Sequence, residues 1–293
     1  MTEDEVIIAD KVPYDTYLDI ATKAARYALL SIGFTYNRME KKTLLPRINN
    51  IVKGKIAEGL FFLFCKTNNI TIDTTECTTP FWLPDLRDFL WLGGEWDLKN
   101  NYFYCSDSDF LSFKFTLLPA LIPNKTSTDQ WSKRNVTLIE SSRFSAYLFS
   151  FIRLLPTNKE YFTIDLSKDQ LNFLFSIEGY YKHAPHGEMP FMEKWFFDEM
   201  AKKGSETYLR LHYLPEFVIT GCANSRYWPL FKNTSFNDPE ENYKNFTHTN
   251  CWYEPKNEIL KFLNGTMATK IKNMTCPVSL LPSFNTLVKK TNN

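Results

Sequence analysis

The amino-acid sequence predicts an α/β (α+β) protein in which helices flank a central mixed β-sheet. Three observations carry this. Apolar residues recur at helical spacing over residues 14 to 32 and again from about 50 to 66. Residues 84 to 100 read as two short apolar runs around Gly93-Gly94, the composition of a β-hairpin. Further strand-like and helix-like segments then alternate along the chain.

In the first helix, Leu18, Ala21, Ala25, Ala28, Leu29 and Ile32 share a face, and Gly33 is a stop. Tyr36 to Lys42 is polar and reads as a loop. In the second helix, Ile56, Leu60 and Leu63 mark one side while Ile51, Gly54, Phe62 and Cys65 mark the other, so the helix is expected to be buried. Glu58 falls among that second set. A carboxylate there needs a partner, because burying a lone charge is costly. Lys55, one turn away, can supply it, and a metal or catalytic site is the other reading.

Ile70-Thr71-Ile72 is a short strand candidate, followed by Phe81 to Pro84 and the hairpin. Ser106 to Asp109 breaks the second hairpin strand, and Phe110 to Leu118 reads as another strand. Asn124 to Trp131 is a polar loop. Ser141 to Leu154 reads as a helix ending before Pro156, and Tyr161 to Leu166 as a strand. Ser167 to Gln170 opens a helix through about Tyr180, residues 180 to 190 are a loop, and Met192 to Lys203 is an amphipathic helix stopped by Gly204. Thr207 to Leu214 and Glu216 to Thr220 read as strands, Glu258 to Leu263 as a short helix, and the rest as an irregular tail.

With 293 residues and a formal net charge of +1, the chain is long enough for one large domain or a core with a smaller one, and it is not a polybasic binder. No apolar stretch is long enough to span a membrane, and the acidic start lacks the features of a signal peptide, so a cytoplasmic location is expected. The six cysteines show no CxxC spacing and read as buried thiols. Sequons occur at Asn69, Asn124, Asn135, Asn233, Asn245, Asn264 and Asn273 and acquire meaning only on export. His183, His186, His248, Cys251 and Cys276 lack zinc-ligand spacing and read as loop and surface residues.

The hairpin carries the chemistry. A turn at Gly93-Gly94 pairs Trp91 with Trp96, Leu90 with Asp97 and Asp88 with Lys99. One face then holds Phe89, Trp91, Trp96 and Leu98, and the other holds Asp88, Leu90, Leu92, Glu95, Asp97 and Lys99. Three carboxylates and one ammonium on one face are poorly balanced without a cation, and hard oxygens suit Mg²⁺. The alternative is a surface hairpin with an Asp88–Lys99 ion pair.

The order of helix with Glu58, strand, hairpin with Asp88 and Asp97-Leu98-Lys99, strand, helix, strand resembles the PD-(D/E)xK nuclease superfamily, and within it the type II restriction endonucleases. The resemblance covers roughly residues 50 to 166. It implies a restriction-endonuclease-like core over residues 1–180, with residues 181–293 as a DNA-recognition and dimerisation part, or a single domain. It implies Mg²⁺-dependent cleavage of double-stranded DNA by a homodimer. Asp88 and Asp97 would ligate the metal with the Leu98 carbonyl, Lys99 would orient or deprotonate the attacking water, and Glu58 would hold a metal-bound water or the lysine. The superfamily's lettering points to Asp85 after Pro84. The hairpin parity selects Asp88, with Asp85 as the alternative.

From Gly221 to Tyr253 basic, amide and aromatic residues interleave. Asn224, Arg226 and Asn233 are candidates to meet base edges, and Lys232 and Lys244 to meet phosphates. Two other functions fit the sequence: a modification-dependent or repair DNA nuclease of the same fold, and a non-enzymatic extracellular binding module using the sequons and cysteines.

Overall fold

A computed structural model describes residues 1–9, 12–31, 44–77, 87–123, 146–154, 161–169, 172, 206–212, 216–233, 252–254, 256, 259–270 and 273–291. In chain order the first elements are strand β1 (Ile7–Ala9), helices α1 (Tyr14–Ser31) and α2 (Leu44–Thr67), and strands β2 (Phe89–Trp91) and β3 (Gly94–Tyr104). A short helix α3 (Asp107–Phe110) and strands β4 (Pro119–Pro123), β5 (Ala146–Leu154), β6 (Tyr161–Leu166), β7 (Glu206–His212) and β8 (Phe217–Asn224) follow. The remainder is β9 (Lys232–Asn233), β10 (Trp252–Glu254), β11 (Ile259–Phe262), β12 (Met267–Thr269), β13 (Asn273–Pro277) and helix α4 (Phe284–Thr291).

The predicted mixed sheet is present, in the order β1-β8-β5-β3-β2. β3 and β5 run parallel, and the other neighbours are antiparallel. Helices α1, α2 and α4 cover one face, with Tyr17, Ala21, Ala25, Ile56, Leu60, Phe61 and Phe284 packed against Phe89, Trp96, Leu98, Leu148 and Ile219. The opposite face carries Phe103, Phe149, Phe151 and Val218 under residues of β4, β11, β12 and β13. Those four belong to two small three-stranded sheets, β4-β13-β9 and β10-β11-β12. β6 and β7 form a separate antiparallel pair.

The helix expected from 14 to 32 is α1. The second helix begins at Leu44, ahead of the expected start near Asn50, because Pro46 lies in its first turn, where a missing N–H costs nothing. The reading of 141 to 154 as a helix is overturned: Ala146–Leu154 is the central strand β5. Its run Ala-Tyr-Leu-Phe-Ser-Phe-Ile-Arg is buried throughout, because both faces of the sheet are covered, and such a run has no strand alternation to read. The short helix read over 258 to 263 is also a strand, β11. The strand read over Phe110 to Leu118 is instead a turn and a 3-10 segment, Phe115–Leu117, before β4. Ile70 to Ile72 forms no strand, and only Asp73 makes a bridge, to Leu90.

The tail read as irregular is ordered into β12, β13 and α4. Glu5 ties α4 to the chain start: its carboxylate accepts hydrogen bonds from Thr286, Thr2 and Ser283, which hold its pKa down at about 2. The helix opened at Ser167 is described only at Lys168, Asp169 and Asn172, which are helical. The loops at 36–42, 124–131 and 180–190, the 81–84 segment, Asp85 and the helix at 192–203 lie outside the described residues.

The hairpin is present with its apolar face as expected but its turn displaced and its alternation broken at Asp88. Phe89 pairs with Trp96, Leu90 with Glu95 and Trp91 with Gly94, so the turn residues are Leu92 and Gly93. Both have positive φ, 54° and 71°, the pattern of a type I′ turn. Moving the turn by one residue changes each pair by two, which preserves parity. Phe89, Trp91, Trp96 and Leu98 therefore still share the buried face. The expected Asp88–Lys99 pairing is replaced. The Asp88 N–H donates to the Trp96 carbonyl at 2.9 Å, so Asp88 and Phe89 both face Trp96, as in a β-bulge.

Leu92 is exposed and sits in a conformation that suits Asn. Leu92→Asn, giving Asn-Gly in the turn, should raise stability by about 1 kcal/mol, read as a higher denaturant midpoint at unchanged slope. At Gly59 a Cβ would lie 2.6 Å from Ile20 Cγ2, so the glycine sets how closely α1 approaches α2. Gly59→Ala should cost about 1–3 kcal/mol, because the β-branched Ile20 cannot easily yield. Adding Ile20→Ala should recover part of the loss in the same melt.

Candidate active site

Asp88 stands at the start of the edge strand β2, where helix α2 meets the end of the sheet. Its side chain reaches across to β3, and Oδ2 accepts the Leu98 N–H at 2.6 Å. A strand residue turns its N–H and C=O to the same edge. The Leu98 carbonyl is therefore directed to the edge where Asp88 lies.

Three elements bring charge to this point. Burial pushes the Asp88 carboxyl well above the usual carboxylate range, and the negative charges of Glu58 on α2 and Asp97 on β3 push it further. Lys99 and Lys55 act in the opposite direction. The structure thus gathers Glu58, Asp88, Asp97 and Lys99, the residues singled out in the sequence, and adds Lys55.

The two lysines are engaged with carboxylates. Lys99 Nζ lies 2.6 Å and 2.7 Å from the Asp97 oxygens, two residues apart on one strand face. Its ammonium also lies 5.6 Å from the centre of the Tyr147 ring. Lys55 Nζ is 2.7 Å from Glu58 Oε2 and 4.8 Å from the centre of the Tyr27 ring. Both readings of Glu58 therefore meet at one residue: it has the Lys55 partner and it faces Asp88. Side-chain exposures of 17–24% put these pairs out of the fully screened regime of surface ion pairs.

A cleft of about 530 Å³ opens beside Asp88 on the helix side, lined among others by Tyr27, Lys55, Glu58, Thr74, Arg87 and Asp88. Arg87 forms an ion pair with Glu95 at its rim. Of these, Tyr27, Thr74 and Arg87 carried no signal in the sequence beyond their polarity. Tyr147 was hidden inside the segment read as a helix.

Among the described residues no group of three or more His, Cys, Asp or Glu side chains forms a ready ligand shell. The donor set still suits a hard divalent cation. It offers carboxylates and a carbonyl, and the charge crowding on Asp88 is the kind that such an ion relieves.

The C-terminal candidates are placed more loosely. β8 ends at Asn224, whose side-chain oxygen accepts the Arg226 N–H at 3.1 Å and caps the 3-10 segment Ser225–Leu230. Arg226 and Lys232 are exposed. Asn233 pairs with Met274 in β9. Lys244, His183, His186, His248, Cys251 and the sequons Asn124, Asn135 and Asn245 lie outside the described residues. The five described cysteines are buried, and no disulfide joins them.

No family model matches the chain, and no curated protein or solved structure is significantly similar to it. Among the described residues no helix is long and apolar enough to cross a membrane.

A carboxyl whose pKa is raised by folding binds a proton that the unfolded chain lacks. Stability then falls as pH rises from about 4 through the folded pKa. Asp88→Asn keeps the acceptor for Leu98 and removes the charge. In EDTA at neutral pH it should melt higher than wild type, by about 2–4 °C for each kcal/mol relieved. The gap should close as pH falls toward 4. Equal melting temperatures across that range would refute the charge crowding.

Proposed function

We propose that the chain is a Mg²⁺-dependent deoxyribonuclease of the PD-(D/E)xK type, acting as a site-specific endonuclease of the type II restriction class on double-stranded DNA. One observation carries the reading. Glu58, Asp88, Asp97 and Lys99, picked out by their order in the sequence, converge from α2, the start of β2 and β3 on the half-buried Asp88 carboxyl.

In this reading Asp88, Asp97 and the Leu98 carbonyl would hold the metal. When bound, Mg²⁺ supplies Lewis-acid polarisation of the scissile phosphate and acidifies water. Lys99 would leave Asp97 to orient the attacking water and, as an ammonium, to meet negative charge gathering on the phosphoryl oxygens. Glu58 would fix a water or Lys99 from the helix side, and Lys55 pairs with Glu58 in the absence of substrate. The exposed Arg226 and Lys232 flank Trp228, which packs on the Tyr147 ring beside Lys99, and suit contacts to the duplex. A second copy would place a second site on the other strand of a symmetric target. The buried cysteine thiols favour this reading over an extracellular module built on disulfides.

Plasmid DNA incubated with the protein and Mg²⁺ should yield discrete fragments whose sequenced ends define a site. Asp97→Ala and Lys99→Ala should each reduce cleavage by at least about 100-fold. DNA binding in Ca²⁺ should survive both changes. Undiminished Mg²⁺-dependent cutting by both variants would overturn the assignment.

A further inference from the structure

The Lys99 side chain is long and carries considerable rotamer freedom, so an ion pair with Asp97 alone leaves its ammonium free to swing. A second constraint is present on the same face. The parallel register sets Tyr147 of β5 beside Asp97 of β3. Tyr147 is 4% exposed, and its ring presents a surface 5.6 Å from the Lys99 ammonium.

On its other side Tyr147 pairs with Ala223 of β8. The small Ala223 side chain takes little of the space over this part of the sheet, and Trp228 packs edge-on to the Tyr147 ring at 5.3 Å. Trp228 in turn meets Phe231 at 6.0 Å, and Phe231 meets Phe149 at 6.0 Å. Phe149 lies 6.4 Å from Tyr147, which closes a ring of four aromatics. Trp228 belongs to the Ser225–Leu230 segment, pinned at its start by the Asn224 cap and bearing the exposed Arg226. Lys232 follows directly in β9.

We infer that Tyr147 is a positioning residue: it holds the Lys99 ammonium through its ring face and joins it to the Ser225–Lys232 segment, so that a nucleic-acid strand held by that segment is sensed at Lys99. The activity readout of this inference rests on the nuclease reading, and the contact itself does not. A ring stabilises a cation through its electron-rich face, so Phe preserves the effect and Leu removes it. Aromatic packing transmits displacement because close-packed rings cannot slide independently. Trp228 packs directly on the Tyr147 ring, so a load on Arg226 or Lys232 reaches Tyr147 through it.

The experiment combines kinetics with lysine-selective ¹³C NMR. The ring should shift the Lys99 ε-methylene protons upfield, with assignment by Lys99→Ala. Tyr147→Phe should keep this shift and the wild-type kcat on plasmid DNA in Mg²⁺. Tyr147→Leu should lose the shift and lower kcat about tenfold with KM nearly unchanged. Trp228→Leu, at a half-exposed position, should lower kcat in the same manner. It should also abolish the response of the Lys99 signal to a mixed-sequence DNA duplex added in Ca²⁺. It carries the test if Tyr147→Leu does not fold.

An identical Lys99 signal in wild type and Tyr147→Leu would overturn the proposal. So would a Tyr147→Phe variant as impaired as Tyr147→Leu, which would assign the role to the hydroxyl, or a Trp228→Leu variant that responds to DNA as wild type does. If wild type cuts no DNA, the nuclease reading fails while the NMR comparison still decides the Tyr147 contact.

Discussion

The pairing of β3 with β5 is the constraint on which the rest of the structure depends. Nine consecutive residue pairs join them in parallel. A parallel pair cannot be closed by a tight turn, so the chain must leave the sheet and return. That return places β5 at the centre, with β8 on its other side, and both faces of these strands are then covered. The same register sets Tyr147 beside Asp97 and Phe149 beside Lys99. The polar end of β3 thus emerges from a rigid, two-sided core, the support that a fixed arrangement of charged groups needs.

The hairpin shows which part of a fold a sequence carries. Its faces were legible because Phe89, Trp91, Trp96 and Leu98 alternate with polar residues, and that alternation survives any displacement that keeps parity. The turn was less legible. Gly93-Gly94 satisfies the usual preference for φ > 0 at both central positions, yet the chain puts Leu92 at φ 54° and gives Gly94 to the ladder. The extra length gained by β3 places Trp96 opposite Phe89 and lets Asp88 bulge. The bulge, not a cross-strand pairing with Lys99, is what turns Asp88 toward Leu98. Parity singled Asp88 out, but its place and its interaction are set by an irregularity that parity does not encode.

β5 and the C-terminal strands were not legible for a different reason. A strand buried on both faces has no alternation, and short apolar runs fit a helix equally well. Ala146–Leu154 became readable only through its neighbours, β3 and β8, which lie far from it in the sequence. β13 is similar: it pairs with β4 over 150 residues away and with β9 on its other edge. Their Lys/Asn-rich flanks suggest a tail, whereas Cys276, Val278, Leu281 and Phe284 are buried in the two cores. Local composition was outweighed by tertiary contacts that no window of sequence contains.

The charge arithmetic at Asp88 ties the candidate site to the stability of the fold. Glu58, Asp88 and Asp97 bring three potential negative charges, and Lys55 and Lys99 bring two positive ones. Lys55 is committed to Glu58 and Lys99 to Asp97, each at less than 3 Å. Asp88 is left as the unbalanced carboxyl, with only the Leu98 N–H as its hydrogen-bond donor among the interactions described for it. Burial and the neighbouring negative charges push its carboxyl up, toward the neutral form. A site assembled only for stability would place an apolar residue or a third cation there, because burying the odd carboxyl among like charges opposes folding. The surplus sits where α2, β2 and β3 meet, which is why the proposed metal-binding reading rests more on Asp88 than on the better-paired Asp97.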